Sequence, residues 1–240
     1  MAERHVALVT GSTSGIGESI ARRLAADGMH VVVHSGRSRS EGERIAAELG
    51  GSYLQADLSD AGTAGAAVAE LLHGLGRLDV LINNAAIGWP IAHTDLDAAT
   101  PEVWRRILEV NLISPWSVAA ASAPYLARAG GSIVNISSHA GVRPKGSSVP
   151  YAASKAALNH ITKLLAVALG PDVRVNAVAP GLVETPMTAA WTDVRDLWLA
   201  RAPMRRPATP ADVADLVAAL IANPYVTGEV VLLDGGLNLT

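Results

Sequence analysis

Seven short apolar runs recur along the chain, separated by alanine-rich stretches, and this alternation restricts the fold more than any other feature. The runs lie at 5–10 (HVALVT), 30–34 (HVVVH), 52–55 (SYLQ), 79–83 (DVLIN), 131–137 (GSIVNIS), 173–178 (VRVNAV) and 229–233 (EVVLL). The intervening stretches at roughly 15–27, 40–49, 60–75, 101–128, 150–169 and 210–222 predict helices. Strands that are apolar throughout belong to a parallel sheet covered on both faces. Parallel neighbours require crossover connections, which are right-handed. The expectation is an α/β fold with one doubly wound parallel sheet of about seven strands and helices on both sides. No linker, repeat or low-complexity segment divides the 240 residues, so one domain spans 1–240. Its least regular part is the proline-bearing region 180–209, which follows a strand's carboxyl end, where open sheets hold ligands.

Composition excludes several classes. A net charge of −3 gives no electrostatic footprint for nucleic acid. There are no cysteines, hence no disulfides or thiolate metal sites. No cluster has metal-ligand spacing, and the metal expectation is none. The apolar stretches are too short or too interrupted to span a bilayer. The start, MAERHVALVTGS, enters a strand at once without a leader. A soluble cytoplasmic protein, with neither nucleic acid nor membrane as partner, is expected.

The first predicted strand runs into TGSTSGIG, residues 10–17. Gly11, Gly15 and Gly17 permit a tight turn and close approach of backbone to phosphate. Ser14, Gly15 and Ile16 open a helix whose free N–H groups and dipole favour an anion. A glycine turn alone fits a plain strand–helix connection equally well. Here it follows the first strand of a βαβ pattern, the context of a Rossmann-type dinucleotide site. The second strand ends at His34-Ser35-Gly36-Arg37-Ser38. An NAD site usually carries an acid near this point for the ribose 2′-OH. None stands here, whereas Arg37, with Ser38, suits a 2′-phosphate. NADP(H) is therefore favoured, with NAD(H) as the alternative and a solvated loop charge as the plain reading of Arg37.

Tyr151 and Lys155 stand four apart in YAASKAAL, and Ser138 lies thirteen residues upstream in IVNISSHAG. Residues four apart share a helix face. A lysine charge beside a phenol favours its ionised form and lowers its pKa from about 10. Such a group exchanges protons near neutral pH. A Tyr-x-x-x-Lys pair is common by chance, and Ser137 or Ser138 could simply bond backbone at a strand end. The thirteen-residue interval to Tyr151 singles out Ser138.

Taken together, TGSTSGIG, Asp57 in QADLS, NNAA at 83–86, Asn111 in EVNL, Ser138, Tyr151-x-x-x-Lys155 and Pro180-Gly181 in NAVAPGLVET make the chain resemble the short-chain dehydrogenase/reductase family over nearly its whole length. The resemblance is strongest to the branch of 3-oxoacyl-carrier-protein reductases and bacterial alcohol dehydrogenases. It implies an oxidoreductase moving a hydride between a nicotinamide and a carbonyl or secondary alcohol. Tyr151 would be the acid/base, Ser138 would hold the substrate oxygen, Lys155 would lower the Tyr151 pKa and bond the nicotinamide ribose, and Asn111 would kink its helix and hold a water leading to Lys155. Asp57 and Leu58 would meet the adenine, Asn83 and Ala85 the ribose, Pro180 and Gly181 the nicotinamide, and Thr185 its carboxamide. Pro115 would reinforce the kink. The segment 185–209 would form the substrate loop, and helices 101–128 and 150–169 would pair in a homodimer or homotetramer.

The usual NNAG is replaced by Asn83-Asn84-Ala85-Ala86, and the segments LGPDVRVN and IANPYVTGEV are shorter than the family's common form. The enoyl reductase branch typically separates its tyrosine and lysine by six residues, whereas three intervene here. His93, His139, Trp89, Trp191 and Trp198 either face the cleft or serve as ordinary surface and packing residues. Arg195, Arg201, Arg205 and Arg206 fit an acidic substrate or a solvated face. A catalytically silent dinucleotide-binding regulator is the competing class.

Overall fold

The computed structural model describes residues 4–240. Seven strands form one parallel sheet, as the alternation predicts, and in space they run third, second, first, fourth, fifth, sixth, seventh. They are β1 (Val6–Val9), β2 (His30–Ser35), β3 (Ser52–Gln55), β4 (Val80–Asn83), β5 (Ser132–Ile136), β6 (Arg174–Pro180) and β7 (Val230–Leu233). The helices are α1 (Gly15–Ala26), α2 (Arg39–Leu49), α3 (Ala61–Leu75), α4 (Pro101–Leu108), α5 (Ser114–Ala129), α6 (Val149–Leu169), α7 (Thr192–Arg201) and α8 (Pro210–Ala222).

Two apolar layers result. Ala7, Val9, Val31, Val33 and Ile82 meet Ile20 and Leu24 of α1, Ile45 of α2 and Val213 and Val217 of α8. On the other face Leu8, Val32, Leu81 and Ile133 meet Val68 and Leu72 of α3, Val118 and Leu126 of α5 and Leu165 of α6. Alternate residues of one strand thus feed opposite layers, which explains why the strand runs show no polar face. Local chemistry sets the helix ends. Thr100 and Pro101 open α4, a Thr209–Asp212 capping box opens α8, and Gly50, Gly76 and Gly130 close α2, α3 and α5 in the left-handed conformation.

Two departures from the sequence reading matter for the site. The single helix expected over 101–128 is divided by a π-helical turn, Glu109–Ile113, where the Ser114 N–H reaches back to the Glu109 carbonyl. Pro115 has no N–H to offer the Asn111 carbonyl, so a regular α ladder cannot run through this point. Region 180–209, expected to be irregular, contains helix α7. No described helix is long and apolar enough to cross a membrane.

The carboxyl ends of the strands face one edge. There, β1 pairs with β2 on one side and with β4 on the other, so successive crossovers diverge and leave a crevice.

Candidate active site

A cleft of about 990 Å³ opens at this crevice. Its lining brings together Gly11, Ser14, Gly15, Ile16 and Gly17 from the glycine turn, Arg37 and Ser38 after β2, and Ala85 after β4. It also includes Ser138 after β5, Tyr151 and Lys155 from α6, and Pro180, Gly181 and Thr185 from the end of β6 onward. Residues named from sequence for two separate tasks, though not all of them, thus share one chamber.

The glycine end is held by close backbone contacts. A Cβ on Gly17 would lie 2.2 Å from the Gly11 carbonyl oxygen and 2.4 Å from the Asn84 amide nitrogen. Gly11 has φ +63°, and a Cβ there would meet Ala85 at 2.9 Å. Neither position admits a side chain. Asn84 Nδ2 donates to the carbonyls of Thr10 (2.9 Å) and Gly11 (3.0 Å), and Thr10 Oγ1 accepts from the N–H groups of Asn84 and Ala85 (2.9 and 3.1 Å). The β1 and β4 loops are thereby locked together. Ser14 is the N-cap of α1 and makes no side-chain cap, leaving the first-turn N–H groups aimed at the cleft. This donor set fits a pyrophosphate.

His34 was not singled out by the sequence reading. It is buried, its Nδ1 accepts the Gly11 N–H at 3.0 Å, and its Nε2 lies 3.0 Å from the Ala56 carbonyl. The first bond makes Nδ1 the acceptor and so places the proton on Nε2. Burial holds its pKa down at about 4, so the ring stays neutral and braces β1, β2 and the loop after β3. A continuous apolar-looking run, HVVVHS, carried no signal of this role.

At the other end, Ser148 caps α6 by accepting the Tyr151 N–H at 3.4 Å. That cap fixes where the Tyr151 and Lys155 face begins. Ser138 stands beside Tyr151 in the cleft, and its hydroxyl favours the ionised phenol. Ser138 Oγ also accepts the Ala140 N–H at 3.1 Å, which holds the serine in place. Ser137, the weaker candidate, instead donates to the Lys155 carbonyl at 3.2 Å. Lys155 is 2% exposed, its Nζ donates to the Ile136 carbonyl at 2.9 Å, and it sits 5.9 Å from the centre of the Tyr151 ring.

The electrostatics correct one expectation. Burial pushes the Tyr151 hydroxyl above its ordinary pKa, and the neighbouring Ser138 hydroxyl opposes that shift. Lys155 shifts as well, because burial lowers its ammonium to about 8. In the ligand-free chain the phenol is therefore a neutral proton donor at neutral pH, and the lysine is the group poised to titrate.

Asn111 is fully buried in the π-turn and does not line the cleft. Its amide exchanges two bonds with the backbone of Ile87 (2.9 and 3.0 Å) and donates to Ser154 Oγ at 3.1 Å. Ser154 in turn donates to the Tyr151 carbonyl at 2.7 Å. Asn111 thus ties the β4 loop to the helix that carries Tyr151. Asn83 also turns inward. Its Nδ2 donates to Asn135 Oδ1 at 2.9 Å, so it supports the cleft floor and offers no group along it. Asp57 accepts the Ser59 N–H at 2.9 Å, and Leu58 packs in the core. Neither lines the main cleft.

The substrate side is framed by α7. Trp198 is buried against Leu182 and Ala202, and a Cβ on Gly181 would lie 2.6 Å from its ring. His139 meets Trp198 edge-on at 6.2 Å and lies 3.6 Å from Asp234. Burial lowers the His139 pKa, with Asp234 opposing. Trp191, Trp198, His139 and Arg201 line the cleft, whereas Arg195 and Arg206 pair with Glu184 and Asp212. Arg205 bonds the Ala200 carbonyl, and exposed His93 meets the Gly146 carbonyl. No group of residues that could hold a metal ion occurs among the described residues.

A glycine turn, a Ser–Tyr–Lys trio and a π-turned asparagine on one doubly wound sheet define a dinucleotide-dependent oxidoreductase. The comparisons agree. A family model described as Enoyl-(Acyl carrier protein) reductase matches residues 11–238. The "Granaticin polyketide synthase putative ketoacyl reductase 2" of Streptomyces violaceoruber is 51% identical over 246 residues, covering 99% of this chain and 97% of that protein. The solved 3-ketoacyl-(acyl-carrier-protein) reductase from Brucella melitensis complexed with NADH is 33% identical with a TM-score of 0.87, over 98% of each chain. A gluconate 5-dehydrogenase from Burkholderia cenocepacia J2315 in complex with NADP and tartrate is 29% identical with a TM-score of 0.91, over 98% of this chain and 96% of that one. The chain belongs to the short-chain dehydrogenase/reductase family and is an NAD(P)-dependent oxidoreductase.

Proposed function

We propose that the chain reduces a ketone on an acyl thioester, a 3-oxoacyl group, with NADPH as the favoured cofactor and NADH as the alternative. The observation that carries the reaction class is Ser138 beside Tyr151, with buried Lys155 5.9 Å from the tyrosine ring, in the same cleft as the glycine turn. The acyl reading draws on the relative named as a ketoacyl reductase and on the apolar wall of Trp191, Trp198 and Leu197. Three residues between Tyr151 and Lys155 favour a carbonyl over an enoyl substrate.

The N–H groups of Gly15, Ile16 and Gly17 would hold the pyrophosphate, Arg37 and Ser38 a 2′-phosphate, and Thr185 the nicotinamide carboxamide beside Pro180 and Gly181. When bound, the dinucleotide supplies the hydride. Ser138 holds the ketone oxygen beside the Tyr151 hydroxyl. Tyr151 gives that oxygen its proton, and the Lys155 charge stabilises the phenolate left behind. Lys155 then returns a proton to Tyr151. Positioned acid catalysis of this kind is worth roughly 10²–10⁴ in rate. Asn111 keeps Tyr151 in register through Ser154.

A silent regulator is not favoured, since the proton-transfer groups are all in place. Following NADPH absorbance with a panel of ketones and 3-oxoacyl thioesters tests the proposal. Oxidation fastest with the thioesters is the expected result. NADPH binding without oxidation by any carbonyl would overturn it. The proposal includes a cytoplasmic location and a homodimer or homotetramer. Exposed Ile113 and Trp116 beside and on α5, with Leu164 and Val167 on α6, support the oligomer. Light scattering at the mass of a monomer would contradict it.

A further inference from the structure

A second hollow, of about 660 Å³, adjoins the adenosine end of the cleft, and Arg37 lines both. Its other wall comes from α4, with Arg105 and Arg106, while Ser59 lines it from the loop after β3. The hollow's own acids are engaged. Glu102 pairs with Arg105 at 3.1 Å, and Glu109 accepts the Ala61 N–H at 2.9 Å. Neither the Arg37 nor the Arg106 guanidinium has an ion-pair or hydrogen-bond partner among the described residues, whereas most of the other described arginine side chains do. Asp57 lies near both guanidiniums. Its carboxyl is held below the usual range first by the Ser59 N–H, and the charges of Arg37 and Arg106 both add to that effect.

Two guanidiniums without a direct partner, one just after β2 and one on α4, therefore line one hollow past the carboxyl ends of β2 and β3. Asp57 offsets one of their charges. A strand end without an acid and with two cations lacks the group that holds a ribose 2′-OH and has those that hold a dianion.

We propose that Arg106, on α4, is a specificity-determining residue that closes with Arg37 on the 2′-phosphate of NADP(H). This rests on the nicotinamide-dependent reading above and extends it to a residue outside the glycine turn and the end of β2. The site so formed takes a phosphate monoester on a ribose.

The test measures Kd for NADPH, NADH, 2′,5′-ADP and 5′-AMP by ligand-induced fluorescence, in wild type, Arg106→Ala, Arg106→Lys and Arg37→Ala. None of the three variants touches the proton-transfer groups, and binding is read without turnover. The expected result is about a tenfold loss of NADPH and 2′,5′-ADP affinity in Arg106→Ala, with NADH and 5′-AMP within about twofold. Arg106→Lys should recover part of the loss, and the loss should shrink as salt is raised. Wild type that favours NADPH, with Arg37→Ala weakening it and Arg106→Ala leaving it unchanged, would overturn the role of Arg106 alone. Equal losses for NADPH and NADH would likewise reduce Arg106 to a structural residue. Wild type that binds NADH as tightly as NADPH would remove the 2′-phosphate reading itself, and wild type that binds neither would remove the cofactor reading beneath it.

Discussion

The glycine end and the substrate end of the cleft are built by different means. Around Gly11 and Gly17, backbone packs on backbone with no room for a Cβ, and His34, Thr10 and Asn84 bind three loops into one unit. On the opposite side α7 buries Trp198 alone among its residues, lacks a side-chain N-cap, and exposes Val194, Leu197 and Leu199 toward the cleft or solvent. The first region is specified by main-chain geometry, which many substrates can share. The second is specified by a few side chains, where substrate choice resides.

Substitutions should separate the two regions sharply. Gly17→Ala is expected to do the most damage, costing about 3 kcal/mol of stability and abolishing dinucleotide binding, because a methyl must displace a carbonyl. Urea denaturation and fluorescence titration read both effects. An unchanged midpoint would break the comparison at its stronger side. His34→Leu should cost about 2 kcal/mol by stranding the Gly11 N–H, with dinucleotide affinity falling in parallel. His34→Gln, which can still accept and donate, should restore most of it. Trp198→Ala should act on the other region only. A KM for bulky ketones raised about tenfold, with global stability lowered by less than about 1 kcal/mol, is expected because Trp198 packs in a small cluster apart from the two core layers. Destabilisation as large as that of Gly17→Ala would show that α7 belongs to the core.

The smallest effect is on pH. Lys155 titrates at about 8 in the folded chain, below its ordinary 10.5. The cost of burying its charge is fully present below pH 8 and is relieved between 8 and 10.5. The ligand-free protein should therefore gain stability on going from pH 8 to 9.5, before the raised Tyr151 pKa turns the trend above about 10. Denaturation midpoints of wild type and Lys155→Met should converge over that range. A constant gap would show that the lysine does not titrate there. The rate of reduction should fall over the same interval, as the charge that supports the phenolate is lost.

Legibility in the sequence followed the same division. Apolar runs without alternation announced a parallel sheet, and glycines at 11, 15 and 17 announced its crevice, because both are repeated or backbone-level patterns. Tyr151, Lys155 and Ser138 could be read only together with the glycine turn, Asn111 and Pro180-Gly181, because their spacing alone is common by chance. Helix α7 was not readable, since its buried face amounts to one tryptophan. The π-turn was readable only as a kink at Asn111, because its cause, a proline four residues on, interrupts a ladder whose remaining bonds no sequence pattern displays. His34 resembled a strand-end residue, and Asn83, expected along the ribose, turned out to face Asn135. An isolated polar side chain carries no mark of which way it points. The direction of the Tyr151 shift likewise depended on burial, which the four-residue spacing does not report.

The most direct test of the account is Tyr151→Phe, followed by NADPH binding and single-turnover reduction of a 3-oxoacyl thioester. Removing only the hydroxyl should leave dinucleotide affinity within about twofold and slow the chemical step by on the order of 10³ or more. A variant that binds NADPH normally and still reduces the ketone at the wild-type rate would contradict the assignment of proton transfer to that hydroxyl.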